Sequence, residues 1–119
     1  MSKFIIEGGQ PLCGEVTVSG NKNAALKLLP ACLLTDEPVI LHNIPVIRDV
    51  QNTILVLRDL GVDVTDLGRG SWRIHARDVD KAELDPELAA RTRASFVFAG
   101  PMLARMGRVV LPIPGGDVI

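Results

Sequence analysis

From Asn23 to Leu34 the chain is built almost wholly from Ala, Leu and Cys, with Lys27 its one charge. Apolar residues on nearly every helical face demand burial, so the run predicts a helix held between layers rather than one lying on a surface. Pro30 complicates this helix. Inside a helix, proline removes a hydrogen bond and costs about 3 kcal/mol or more. A kink at Pro30 is therefore expected, or a helix that restarts with Pro30 in its first turn.

The residues leading into this helix, Ser19, Gly20, Asn21, Lys22, Asn23, Ala24 and Ala25, read as an anion-binding corner. A turn that opens a helix leaves backbone N–H groups without intrahelical partners, and they point outward with the positive end of the helix dipole. Lys22 and Asn23 add a full charge and an amide at the same place. A plain cap by Ser19 or Asn21, with Lys22 in solvent, accounts for the same seven residues.

Composition limits what else the chain can be. At 119 residues and 47% hydrophobic it can bury one core, the size of a single ordinary domain. Thirteen basic against fourteen acidic residues give a net charge of -1, so no global field favours nucleic acid or an anionic membrane. An anion site must be local. Three Phe, one Trp and no Tyr leave little for base stacking. No apolar run approaches the roughly 20 residues of a membrane span, and no signal peptide is evident, so a soluble, cytoplasmic protein is expected. Cys13 and Cys32 lack CxxC spacing and a nearby His, and are expected to be reduced thiols without a metal.

Strands are predicted at Lys3–Glu7 and Glu15–Ser19, joined by a turn-rich stretch of Gly8, Gly9, Pro11 and Gly14, and a further strand at Val39–Leu41. Ile47, Val50, Ile54, Leu57 and Leu60 follow helical spacing up to a stop at Gly61. Val62 and Val64, then Trp72, Ile74 and Ala76 around Gly68, Arg69 and Gly70, predict a hairpin with His75 on its polar, solvated side. Asp85 and Pro86 start a third helix, expected to run through Thr92 and Phe96 to Met106 and stop at Gly107, with a kink at Gly100–Pro101. A last strand is expected at Val109–Leu111. The alternation of helices with closely connected strands places the chain in the α/β or α+β class with a mixed sheet.

Besides the Lys22, Asn23 corner, two places could carry chemistry. Arg91 and Arg93 are two residues apart in the expected third helix and so on different faces. One of them would point inward among Ala89, Ala90, Ala94, Phe96 and Val97, where it needs an anionic partner. Exposure of each accounts equally well for the pattern. Asp117 follows Gly115 and Gly116, whose freedom of backbone suits a loop that approaches a ligand, although a solvated turn aspartate reads the same way.

Three stretches, KFIIEGGQPLCGEVTVSGNKNAALKLLPACLL, RTRASFVFAGPMLAR and LPIPGGDVI, together resemble the UDP-N-acetylglucosamine 1-carboxyvinyltransferase family of enolpyruvyl transferases. The match runs in order over essentially the whole chain. The resemblance implies transfer of the enolpyruvyl group from phosphoenolpyruvate to the 3-hydroxyl of UDP-N-acetylglucosamine, with release of phosphate, as the committing step of peptidoglycan synthesis. It implies no metal or organic cofactor, and no nucleic-acid or membrane partner. By this analogy Lys22 and Asn23 hold phosphoenolpyruvate, Arg93 contacts the substrate anions, and Asp117 stands at the loop position of the proton donor.

The commoner family pattern has Cys at the Asp117 position. A thiol with a pKa of about 8.5 is mostly protonated at pH 7; a carboxylate of about 3.9 is not, and holding it protonated costs about 4 kcal/mol. Loop closure over an anionic substrate would supply that through desolvation and like charge. A further expectation is resistance to fosfomycin, which in this family alkylates the loop thiol.

The family's fold is two inside-out α/β barrels of repeated sheet-and-helix units with the active site between them. This chain resembles its early portion: residues 1–21 would belong by analogy with the other domain, and 22–119 with a partial transferase domain. Catalysis by 119 residues alone is not expected, and the missing portion leaves self-association of the fragment open. Three competing readings are a shikimate-3-phosphate enolpyruvyl transferase, a non-catalytic ligand-binding module of the same fold, and an interaction domain.

Overall fold

The computed structural model describes residues 2–113; the loop expected at Pro114–Ile119, with Asp117, lies outside the described residues. Helix α1 spans Lys22–Ala31. Asn21 is its cap, with Oδ1 accepting the Ala24 N–H at 2.9 Å. Pro30 does not restart the helix but lies inside it. The helix runs one residue past it and then tightens into a 3₁₀ turn at Cys32–Leu34. Ala25, Leu26, Leu29 and Leu33 enter the core, but Lys27, Leu28 and Leu34 are exposed. The helix is therefore covered on one side, not between two layers, because the described residues pack a layer against one face only.

Strand β1, Val39–Leu41, is where periodicity expects it. Helix α2, Arg48–Asp59, buries Val50, Ile54, Val56 and Leu57. Its end is built on Gly61, which adopts φ +87. The Val62 N–H donates to Leu57 O and the Gly61 N–H to Arg58 O, both at 3.1 Å, a Schellman closure that consumes two terminal carbonyls.

The hairpin pairs β2, Asp63–Gly68, with β3, Ser71–His75. Arg69 and Gly70, at φ +52 and +71, make the two-residue turn in which both central residues are left-handed. The three strands lie in the order β1-β3-β2, every pair antiparallel. Ile74 is fully buried at the sheet's centre, opposite Val39 on one side and Val64 on the other. Among the described residues, parallel pairing is limited to one bridge, Glu83 with Val110, so the expected strand at Val109–Leu111 is reduced to that single bridge.

His75 is not simply solvated. Its Nε2 lies 3.0 Å from the Asp36 carbonyl, so the ring ties β3 to the segment before β1. Arg105 makes a similar tie, donating to the carbonyls of Leu33, Thr35 and Arg77.

The third helix is not continuous. Asp85 caps α3, Pro86–Ala90, with Oδ1 accepting the Leu88 N–H at 2.9 Å, but the helix stops there. Thr92 is extended, at φ -153, and its hydroxyl accepts the Ala94 N–H to open a 3₁₀ segment, Arg93–Phe98, which passes into α4, Ala99–Met106. A threonine hydroxyl offers the backbone an alternative to the helical ladder, and here the alternative wins.

Residues 2–19 are extended and exposed and pair with nothing among the described residues, so neither expected strand forms there. Phe4 is 98% and Leu12 99% accessible. A strand needs a partner edge, and the three-strand sheet does not reach this segment. The arm accounts for a radius of gyration of 17.6 Å, where a compact chain of this length has about 13.5 Å.

Candidate anion cleft

Gly20 fixes where the corner sits. A Cβ on it would lie 1.7 Å from the Asn43 carbonyl oxygen, so only glycine permits this approach of the chain to the loop after β1. From that contact the chain turns through Asn21 into α1, leaving the N–H groups of Lys22 and Asn23 without intrahelical acceptors at the helix's positive end.

These two residues line a cleft of about 630 Å³ whose opposite wall is the interrupted third helix, from Ala90 to Ala94 and Val97. The break at Thr92 is what forms that wall. It turns both Arg91 and Arg93 onto the cleft and leaves both exposed, so of the two readings left open by their spacing the exposed one holds for each. Asp49, in the first turn of α2, also lines the cleft, and its Oδ2 lies 2.5 Å from Lys22 Nζ. The pair is partly open to water, with side chains 53% and 31% accessible, so its contribution to stability is small. It holds the Lys22 ammonium in place rather than holding the fold together.

Among the described residues, the lining carries Lys22, Lys27, Arg91 and Arg93 together with one carboxylate, that of Asp49. Four cations facing one anion, beside a helix N-terminus, suit a small ligand with more than one negative charge. Apolar contact comes from Leu26, Ala94 and Val97.

The structure brings together Lys22, Asn23 and Arg93, the three site residues that fall within the described part of the chain. Asp49 and Lys27 were missed. Asp49 reads from sequence as an ordinary acidic residue at a helix start, and only the fold carries it to Lys22. Lys27 had a signal, since it alone interrupts the apolar run, and in α1 it stands on the same side as Asn23, four residues earlier.

Among the described residues, no group of three His, Cys, Asp or Glu side chains is placed to hold a metal ion, and no helix is long and apolar enough to cross a membrane.

Residues 6–119 match the family model described as EPSP synthase (3-phosphoshikimate 1-carboxyvinyltransferase). A UDP-N-acetylglucosamine 1-carboxyvinyltransferase of Bradyrhizobium diazoefficiens is 49% identical over 117 residues, 98% of this chain and 27% of that protein. Proteins of the same name from Treponema denticola and Treponema pallidum are 44% and 45% identical over all 119 residues, 28% of each. The chain thus spans little more than a quarter of the length of the curated relatives it matches, at their N-terminal end. Among solved structures, the enolpyruvyl transferase NikO from Streptomyces tendae superposes with a TM-score of 0.72 at 27% identity, over 84% of this chain and 23% of that one. A three-strand antiparallel sheet with its helices, a cationic cleft opened by Lys22, and these matches over nearly the whole length place the chain in the EPSP synthase family of enolpyruvyl transferases.

Proposed function

We propose that this chain forms the phosphoenolpyruvate-holding wall of an enolpyruvyl transferase acting on UDP-N-acetylglucosamine, in the cytoplasmic branch of peptidoglycan synthesis and hence of cell-wall growth and division. The observation that carries the reading is the meeting of Lys22, Asn23 and Arg93, distant in sequence, in one cleft of net positive charge. The names borne by relatives 42–49% identical favour the amino-sugar acceptor over shikimate 3-phosphate.

In this reading Lys22 and Asn23 bind the phosphate and carboxylate of phosphoenolpyruvate at the N-terminus of α1. Asp49 keeps the Lys22 ammonium directed into the cleft. Arg93 holds the anionic part of the sugar nucleotide. The oxygen of the sugar 3-hydroxyl adds to C2 of phosphoenolpyruvate and gives up its proton to solvent, while Asp117 delivers a proton to the C3 methylene. Loss of phosphate from C2 and of a proton from C3 then restores the double bond in the product. Residues 1–21 pair with the second domain of the fold, which supplies the other wall, and residues 22–119 belong to the first.

Phosphate release in the presence of both substrates tests the reading, in a protein that carries this chain within a complete two-domain fold. Lys22→Ala and Asp117→Asn are each expected to lower turnover by at least about a hundredfold, the scale of a lost positioning or proton-transfer group. Unchanged turnover in both variants would overturn the assignment. The 119-residue chain alone is expected to release no phosphate.

A further inference from the structure

The arginine-bearing wall of the cleft is a break between two short helical segments, and such a break needs something to hold it. Asn52 stands there. It is a polar residue on the buried face of α2, only 8% accessible, and its Nδ2 donates to the backbone carbonyl of Arg91 at 3.4 Å. That carbonyl belongs to the residue that ends α3, immediately before Thr92 turns the chain. Asn52 is also three residues after Asp49, hence on the same side of α2, one turn further along. The start of α2 therefore touches both walls of the cleft: Asp49 holds Lys22 on one, and Asn52 holds the Arg91–Arg93 turn on the other.

We infer that Asn52 is a positioning residue of the anion cleft, setting the place of Arg91 and Arg93 relative to Lys22 through its bond to the Arg91 backbone. A buried amide is a costly choice on a helix whose other buried residues, apart from Thr53, are Val50, Ile54, Val56 and Leu57, and an apolar residue would pack there without that cost. What the amide adds is direction. It fixes the carbonyl at the α3 terminus, and with it the Thr92 hydroxyl that accepts the Ala94 N–H and the Thr92 carbonyl that accepts the Ser95 N–H at 3.3 Å. The role in binding rests on the reading of the cleft as an anion site; the hold on the turn does not.

Two variants separate position from stability. Asn52→Leu keeps the volume and removes the polar atoms; Asn52→Asp keeps the shape and removes the donor. In both, amide hydrogen exchange at Ala94 and Ser95 is expected to speed up about five- to tenfold, while Ala24 and Ala25 at the Lys22 corner keep the parent rates. Thermal unfolding of Asn52→Leu is expected at or above the parent temperature. Titration with inorganic phosphate, followed by backbone amide shifts, is expected to give a dissociation constant about three- to tenfold higher in both variants. Parent-like exchange at Ala94 and Ser95 in either folded variant overturns the inference, as does a uniform rise along the chain. Selective exchange with an unchanged phosphate constant overturns the binding role. Absence of phosphate binding in the parent counts against the anion-site reading itself, and exchange still decides whether Asn52 holds the turn.

Discussion

Gly20 shows how a residue without a side chain can place a charged one. The Asn43 carbonyl occupies the volume a Cβ would need, and because it is backbone it cannot swing aside. Gly20→Ala is expected to cost about 1–3 kcal/mol of stability as the two segments part. It should also displace Asn21 and Lys22 and weaken phosphoenolpyruvate binding beyond the stability loss. Denaturant unfolding with a parallel binding isotherm checks both. The two cysteines contrast with each other. Cys13 is exposed, whereas Cys32 is buried with its thiol donating to Leu28 O at 3.2 Å, and burial pushes it up from 9.0 to about 11. Between those values the unfolded chain releases a proton that the folded chain keeps, so folding stability falls as pH rises through that window and is unaffected below it. A disulfide-exchange reagent at pH 8 should label Cys13 at once and Cys32 only on unfolding; rapid labelling of both contradicts the packing.

At the scale of elements, α2 carries more of the architecture than its amphipathic pattern suggests. Its apolar face packs on the core, its first turn reaches the cleft, and its last turn closes on Gly61. Gly61→Ala is expected to cost about 1–2 kcal/mol, because the left-handed φ is unfavourable for any Cβ. The Asp80 carboxylate in the way can move, while the Asp78 carbonyl, 3.3 Å from the new Cβ, must give by a few tenths of an ångström. Thermal denaturation measures the loss, and an unchanged midpoint would remove the closure from the account. The core face and the end of α2 were legible because periodicity and terminal glycine agree, whereas its start, after Ile47 with no side-chain cap, carries no such signal. The hairpin was legible from its turn residues. The third helix was not, because its apolar spacing continues through Thr92 while the decision to break rests on a threonine hydroxyl and on Asn52, whose partner is 39 residues away. Val109–Leu111 has strand composition, yet among the described residues it pairs at one residue only, Val110 with Glu83.

For the molecule as a whole, periodicity told which segments are apolar but not which of them find partners. Phe4, Ile5, Ile6, Val16 and Val18 carry a strand pattern and remain exposed, and one side of α1 and of the 3₁₀ turn after it stays open at Leu28 and Leu34. The composition of a segment specifies a face to be covered; only the rest of a fold specifies the cover. The site followed the same rule. Lys22, Asn23 and Arg93 stood out as residue types, but their proximity comes from the packing of α1 against α2 and the 3₁₀ segment, and Asp49 entered only with it. The account therefore turns on whether these residues act as one site. Backbone amide shifts of the labelled chain, titrated with phosphoenolpyruvate and repeated in Lys22→Ala, test this most directly. The result expected is a set of perturbations at residues 22–24 and 91–94 that saturate together and vanish in the variant. Perturbations confined to one wall, or unaltered by the loss of Lys22, would contradict the cleft.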